Sequence, residues 1–257
     1  PQPPPSWKNS SLTLAKALPY PRRRAHGTMN LTEILDRAAT AWPEKAALID
    51  DHRIVSYAAL AERVAELTRS LGGFSIAPGA RLGLSLPNSI DYVALTFALW
   101  RLRAVVVPIP ADGTPSEAEE MARLLQLDGE ISGRTRSGSA PVAAGIHYTR
   151  FDPVPSADNH GLNLAFIRFT SGTTSASKGV AFSHQTVLDR ITTANRALEI
   201  GPHDTVIWCL PMSHHFLVTI ILYLQYGATV VLTRFVLARP FLETINQWRG
   251  TVLYATP

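Results

Sequence analysis

Leu164-Ala165-Phe166-Ile167-Arg168-Phe169-Thr170-Ser171-Gly172-Thr173-Thr174-Ser175-Ala176-Ser177-Lys178-Gly179-Val180-Ala181-Phe182-Ser183 holds two strand-like segments around a hydroxyl-rich turn. Leu164–Phe169 is rich enough in apolar and aromatic residues to predict a strand, and Gly179–Ser183 predicts a second. Between them, Thr170–Ser177 carries six hydroxyl side chains and a flexible Gly172, and the loop ends at Lys178. Such a loop can wrap a polyphosphate: backbone N–H groups form an anion-binding concavity, hydroxyls add donors and the lysine adds a positive charge. The same composition also makes an ordinary solvated Ser/Thr turn, so composition leaves both readings open. The P-loop is excluded. Its pattern, G-x-x-x-x-G-K-[ST], needs a second glycine where Ser177 stands and a hydroxyl where Gly179 stands, and it starts a helix at the lysine.

Outward from this stretch, strands alternate with helices. Downstream, a helix is predicted with Val187, Ile191, Ala194 and Leu198 on its buried face, then a strand over Thr205–Leu210 and a mainly apolar helix over His214–Tyr226. A strand at Ala228–Leu232, a helix around Pro240–Trp248 and a strand at Thr251–Tyr254 complete the chain. Upstream, Asn30 and Glu33 suggest a capping box for a helix reaching about Trp42, before Pro43. Tyr57–Leu71 places Leu60, Val64, Leu67 and Leu71 on one helical face, and Gly72-Gly73 closes it. Arg81–Leu86 predicts a strand, with Pro87-Asn88 opening a helix to about Arg101. Ala104–Ile109 predicts a strand buried on both faces. Thr114-Pro115-Ser116-Glu117 combines an N-cap, a first-turn proline and a capping-box acid for a helix to about Leu127. Asp128–Gly161 reads mostly as a surface connection, with room for a short strand near Gly145–Thr149. The alternation predicts an α/β fold with a largely parallel sheet flanked by helices.

Composition narrows the classes. Of 257 residues, 46% are hydrophobic and 17% charged, which is enough to build a core. A single cysteine excludes a disulfide framework and a multi-cysteine zinc site. The longest apolar run, Phe216–Tyr223, falls short of the roughly 20 residues a membrane helix needs. Charge is uneven. Residues 1–28 hold Lys8, Lys16, Arg22, Arg23 and Arg24 with no acid, so residues 29–257 sum to −1 and a basic nucleic-acid face is not expected. That proline-rich first segment is read as a disordered basic extension, or as sequence upstream of a start at Met29. An organelle transit peptide and a nucleic-acid arm are the alternatives. The chain ends at Pro257 directly after an apolar strand, and is read as a fragment.

The loop resembles the phosphate-binding signature of the adenylate-forming (AMP-binding) superfamily, which includes acyl-CoA synthetases, luciferases and peptide-synthetase adenylation domains. Of the ten specified positions in T-S-G-T-T-G-x-P-K-G-V, eight match: Thr170, Ser171, Gly172, Thr173, Thr174, Lys178, Gly179 and Val180. Ser175 replaces a glycine and Ser177 the proline. Val55–Leu60 resembles the T-Y-x-E-L strand-to-helix entry. Arg101–Pro110 resembles K-A-G-A-x-x-V-P-L-x-P, with Arg103 where glycine is usual. Leu210–His214 resembles L-P-L-F-H, and Tyr254–Pro257 sits where the family's next strand ends. The resemblance covers about residues 30–257.

The resemblance implies a cytoplasmic ligase working in two steps, forming an acyl-adenylate from ATP and a small-molecule carboxylate and then a thioester with coenzyme A. Residues 29–257 would be part of its large N-terminal domain, without the C-terminal part of that domain or the small lid domain. Thr170–Lys178, including Gly172, Ser175, Ala176 and Ser177, would form the ATP site. Ser171, Thr173, Thr174 and Lys178 would hold the β- and γ-phosphates, and Thr173 would reach Mg2+. His214 would border the acyl site and orient the carboxylate. An amino-acid-adenylating domain of a peptide synthetase is the near alternative, and a truncated, non-catalytic phosphate-binding relic the distant one. Elsewhere, Cys209 is read as a core residue, His215 as pocket wall or core, and His184 as a surface or capping residue. His147, His160 and His203 lack metal-site spacing, and Trp208 and Trp248 are read as core aromatics.

Overall fold

The computed structural model describes residues 29–50, 53–135, 137–151, 162–170, 178–233 and 238–255. The basic segment 1–28 lies outside them. From Met29 the chain forms α1 (Thr32–Ala41), β1 (Ala46–Asp50), β2 (Arg53–Ser56), α2 (Tyr57–Gly72), β3 (Arg81–Ser85), α3 (Ile90–Arg101), β4 (Val105–Pro108) and α4 (Pro115–Leu125). Next come β5 (Gly129–Ser132), β6 (Ala140–Ala143), β7 (Ile146–Arg150), β8 (Leu164–Thr170), β9 (Lys178–Ser183) and α5 (His184–Leu198). β10 (Thr205–Trp208), α6 (Met212–His215), α7 (Ile220–Gln225), β11 (Thr229–Leu232), α8 (Ala238–Trp248) and β12 (Val252–Tyr254) follow. None of the described helices is long and apolar enough to cross a membrane.

The α/β class is the expected one, but the strands divide between two sheets. One has the order β12-β10-β11-β1-β2 and the other β6-β7-β5-β3-β4-β8-β9. Each has a parallel centre with antiparallel strands at its margins: β2 in the first, and β6, β7 and β9 in the second. Between them runs α3, which packs on α1, α2, β1 and β4. Ten of its 12 residues are buried, from Ile90 to Trp100, so it has no solvent stripe and sits in the core. Ser89 caps it by accepting the Tyr92 N–H at 3.1 Å. Trp100, fully buried, donates its indole N–H to the Ala165 carbonyl at 2.8 Å and so ties the helix to β8.

Local signals explain most elements. The apolar stripe of α2 is buried as expected: Leu60, Val64, Leu67 and Leu71, with Tyr57 added. The Thr114–Glu117 capping box forms in both directions. Arg103, standing where the family pattern has glycine, adopts φ 58°, a left-handed conformation that costs an L-residue about 1–2 kcal/mol.

Four expectations need correction. Asp128–Gly161 is no mere surface connection, because β5 pairs with β3 inside the sheet and β6 and β7 extend it. Glu130 and Ser132 are buried in β5, so its polar residues carry no strand signal. The helix expected over His214–Tyr226 is two short helices. Thr219 sends its N–H to Phe216 and its hydroxyl to the carbonyl of His215, so the four-residue ladder breaks there. Asn30 makes no capping box with Glu33. Its side chain accepts from Thr32 N at 3.0 Å and donates to the Trp100 carbonyl at 2.8 Å. Finally, only Val187 and Ile191 of the predicted α5 face are buried; Ala194 is exposed and Leu198 is 58% exposed, because α5 extends past the elements it packs on.

Candidate functional site

β8 and β9 form an antiparallel ladder that runs in register from Phe166↔Phe182 to Thr170↔Lys178. The turn is therefore narrower than Thr170–Ser177: Thr170 belongs to β8 and Lys178 to β9, so residues 171–177 connect the two strands. Ser171, Gly172, Thr173, Thr174, Ser175, Ala176 and Ser177 lie outside the described residues. The backbones of Thr170 and Lys178 stand opposite each other at the mouth. β8 is parallel to β4, so this mouth lies at the carboxyl end of the parallel strands, where open α/β sheets place ligands.

The first sheet, through β10, brings His214 to the same region. β10 leads through Cys209 and Leu210 to Pro211, and Pro211 starts α6. Asn88, just past the end of β3 in the other sheet, holds this turn from both sides. Its Nδ2 donates to the Leu210 carbonyl at 2.7 Å, and its Oδ1 accepts the Met212 N–H at 2.8 Å. Reading along the sequence treats Asn88 only as part of a helix start. The available signal is a polar side chain directly after a buried strand, but its partners lie more than 120 residues away. Asn88→Ala removes both bonds and should cost about 2 kcal/mol at 0.5–1.5 kcal/mol for each. Denaturant unfolding checks the loss, and Asn88→Asp, which keeps the acceptor alone, should fall between the variant and the wild type.

His214 is exposed and His215 half-buried. Together with Phe166, Arg168, Phe182 and Arg190 they line a narrow recess against β8 and β9, with Phe216–Val218 behind them. The structure thus brings His214 beside the strand that enters the hairpin, two residues from Thr170. His215 proves to be pocket wall. Its ring meets Tyr254 edge-on at 6.0 Å, and Tyr254 stacks on Trp208 at 5.7 Å. Burial pushes the His215 pKa down, and the nearby Arg168 and His214 push the same way. Arg168 carries no sequence signal of a site role; its Nε is buried and has no hydrogen-bond partner among the described residues.

The remaining candidates are structural. Cys209 is half-buried against the main core, and burial raises its thiol pKa, which disfavours the nucleophilic thiolate. His184 is not a surface residue. It is 1% exposed, its Nδ1 accepts the Leu31 N–H at 3.1 Å and its ring meets the Trp100 ring edge-on. Trp208 is fully buried, and Trp248 packs on the small cluster of Ile49, Ile207 and Val231. His203 is exposed, His147 is half-buried and His160 lies outside the described residues. Among the described residues no three His, Cys, Asp or Glu side chains gather to hold a metal ion.

A family model described as AMP-binding enzyme matches residues 35–257. The chain is 29% identical over 251 residues to the L-proline–[L-prolyl-carrier protein] ligase of Pseudomonas fluorescens, covering 88% of this chain and 50% of that protein. It is also 29% identical over 231 residues to the long-chain-fatty-acid–CoA ligase FadD13 of Mycobacterium tuberculosis, covering 79% and 44%. The chain thus spans about half the length of these curated relatives. Its fold resembles the inhibitor-bound N-terminal domain of FACL13 from Mycobacterium tuberculosis, with TM-score 0.74, 22% identity and coverage of 89% of this chain and 63% of that one.

Proposed function

The chain belongs to the AMP-binding enzyme family, and from that premise we propose that it supplies the phosphate loop and part of the acyl-site wall of a cytoplasmic, ATP-dependent carboxylate-activating ligase. One observation carries this reading: the signature loop is anchored by Thr170 and Lys178 across a ladder at the carboxyl end of the parallel strands, with His214 carried to the same region.

In the first step a carboxylate oxygen attacks the α-phosphorus of ATP, the bond to the β-phosphate oxygen breaks and pyrophosphate leaves. Two polyanions approach each other, so donors and a cation must offset their repulsion. Ser171, Thr173 and Thr174 offer hydroxyl donors and Lys178 an ammonium to the β- and γ-phosphates. Thr170, Gly172, Ser175, Ala176 and Ser177 supply the loop's remaining backbone. The Thr173 hydroxyl is a hard neutral oxygen of the kind Mg2+ accepts beside phosphate oxygens and water, and bound Mg2+ would neutralise developing charge. His214 orients the carboxylate. In the second step a thiol displaces AMP from the acyl carbon.

Two acceptor classes are supported by the relatives, since one is named a CoA ligase and the other a carrier-protein ligase. We take coenzyme A as the leading acceptor and an amino-acid-adenylating activity as the second reading. Pyrophosphate release by the full-length protein that carries this chain, measured over fatty acids, aromatic acids and amino acids, tests the proposal. Release with one class is expected; silence across all three from a folded protein rejects it.

A further inference from the structure

The recess beside the hairpin has an unusual charge balance. Two arginines and two histidines line it, and among the described residues no Asp or Glu does. Arg168 projects from β8 on the same face as Phe166, and both reach the recess. Its buried Nε has no hydrogen-bond partner among the described residues. Arg190 lies over the Phe182 ring at 5.7 Å, leaving an aromatic face rather than a carboxylate as its neighbour there. A guanidinium nitrogen taken from water without a partner costs free energy, and gathering cations without a counterion adds repulsion. Both costs are relieved by one event, the arrival of an anion.

We propose that the recess formed by Arg168, Arg190, His214 and His215 is a seat for a compact oxyanion, with Arg168 as its principal binding residue. The planar guanidinium donates in a fork that matches carboxylate and phosphoryl oxygens. The aromatic walls, Phe166, Phe182 and Phe216, exclude water and strengthen that contact. The recess is narrow, so it takes an anionic group and not a long acyl chain. Because β8 runs from Arg168 to Thr170 at the hairpin mouth, the anion is either the polyphosphate or an anionic group of the activated acid. Assigning the anion to one of these ligands rests on the ligase reading; the seat itself rests on the geometry.

The present 257-residue chain can be tested without turnover. Pyrophosphate, malonate and benzoate are titrated separately while the His215 imidazole is followed by NMR and melting temperature is recorded. At least one oxyanion should bind and raise the His215 pKa, because a negative charge then offsets Arg168, Arg190 and His214 beside it. Tyr254, the other titratable group against the ring, serves as an internal control. Arg168→Gln should weaken that binding about tenfold or more, the size of one charge-assisted contact. It should also raise the His215 pKa with no anion added, since one repelling cation is gone. Arg168→Lys, which keeps the charge, should retain part of the binding and guards against misfolding of the glutamine variant. Loss confined to pyrophosphate assigns the seat to the polyphosphate, and loss confined to malonate or benzoate assigns it to the acid. No oxyanion binding to the wild type, equal binding to the wild type and Arg168→Gln, or an unmoved His215 titration would overturn the proposal. Oxyanion binding combined with silence in the pyrophosphate-release panel would reject the ligase reading and leave the seat standing.

Discussion

Lys178→Ala should slow pyrophosphate release by the full-length ligase about ten- to 150-fold. On the proposed role of Lys178, the change deletes one charge-assisted contact to a phosphate, worth about 1.5–3 kcal/mol, at 1.4 kcal/mol for each decade of rate. Its backbone is fixed opposite Thr170 in the β8–β9 ladder, so the ammonium starts from a rigid base and not from the loop tip. If the contact strengthens as charge separates toward pyrophosphate, the loss falls on kcat with KM for ATP little changed. Folding should survive, because β9 holds its place through backbone bonds that alanine preserves. Ser175→Gly is the companion variant. Glycine restores conformational freedom at that position, so ATP use should hold or improve if serine strains the turn. Steady-state rates with melting temperature as the folding control decide the matter. A folded, fully active Lys178→Ala enzyme would reduce the loop to a solvated turn.

Elements whose signals are local were legible. The stripe of α2, the Thr114–Glu117 box and the all-apolar β4 announce themselves within one turn or one strand. β5 was hidden because Gly129, Glu130 and Ser132 are polar or small, yet they are buried where the strand pairs with β3 and β7. β1 escaped for a related reason: its parallel partner β11 lies some 180 residues on, and no local pattern records that pairing. The division into two sheets is a long-range fact of the same kind. At the site, the hydroxyl loop and His214 carry sequence motifs, whereas Asn88 and Arg168 act across sheets or into a recess. Their roles depend on what folding places beside them.

Lowering the pH from 7.5 to 4.5 should remove about 2–3 kcal/mol of stability through His184 alone. Burial pushes its pKa from 6.5 down to about 4. The ring is 1% exposed between Trp100 and the start of α1, and its Nδ1 accepts the Leu31 N–H, which only the unprotonated nitrogen can do. The sign follows from proton counting. Between pH 6.5 and 4 the unfolded chain binds a proton that the folded chain refuses, so stability rises with pH across that window. The contribution is complete above 6.5, declines as pH falls toward 4 and changes no further below it. A gap of one pH unit between the folded and unfolded pKa is worth about 1.36 kcal/mol, and most of the total is lost by pH 4.5. Other groups titrate in the same range, so the reading is a difference between two proteins. Denaturant unfolding of the wild type should lose about 2–3 kcal/mol more than His184→Gln between the two pH values. The glutamine variant is less stable at pH 7.5 because Trp100 loses its ring partner, but its pH slope should be shallower. Parallel slopes would mean the imidazole reaches water. The consequence reaches the candidate site, since His184 follows directly on β9 and the Met29–Leu31 segment is tied to it, to Trp100 and to Asn163. Acid should therefore loosen the base of the β8–β9 hairpin as well as the amino-terminal helix.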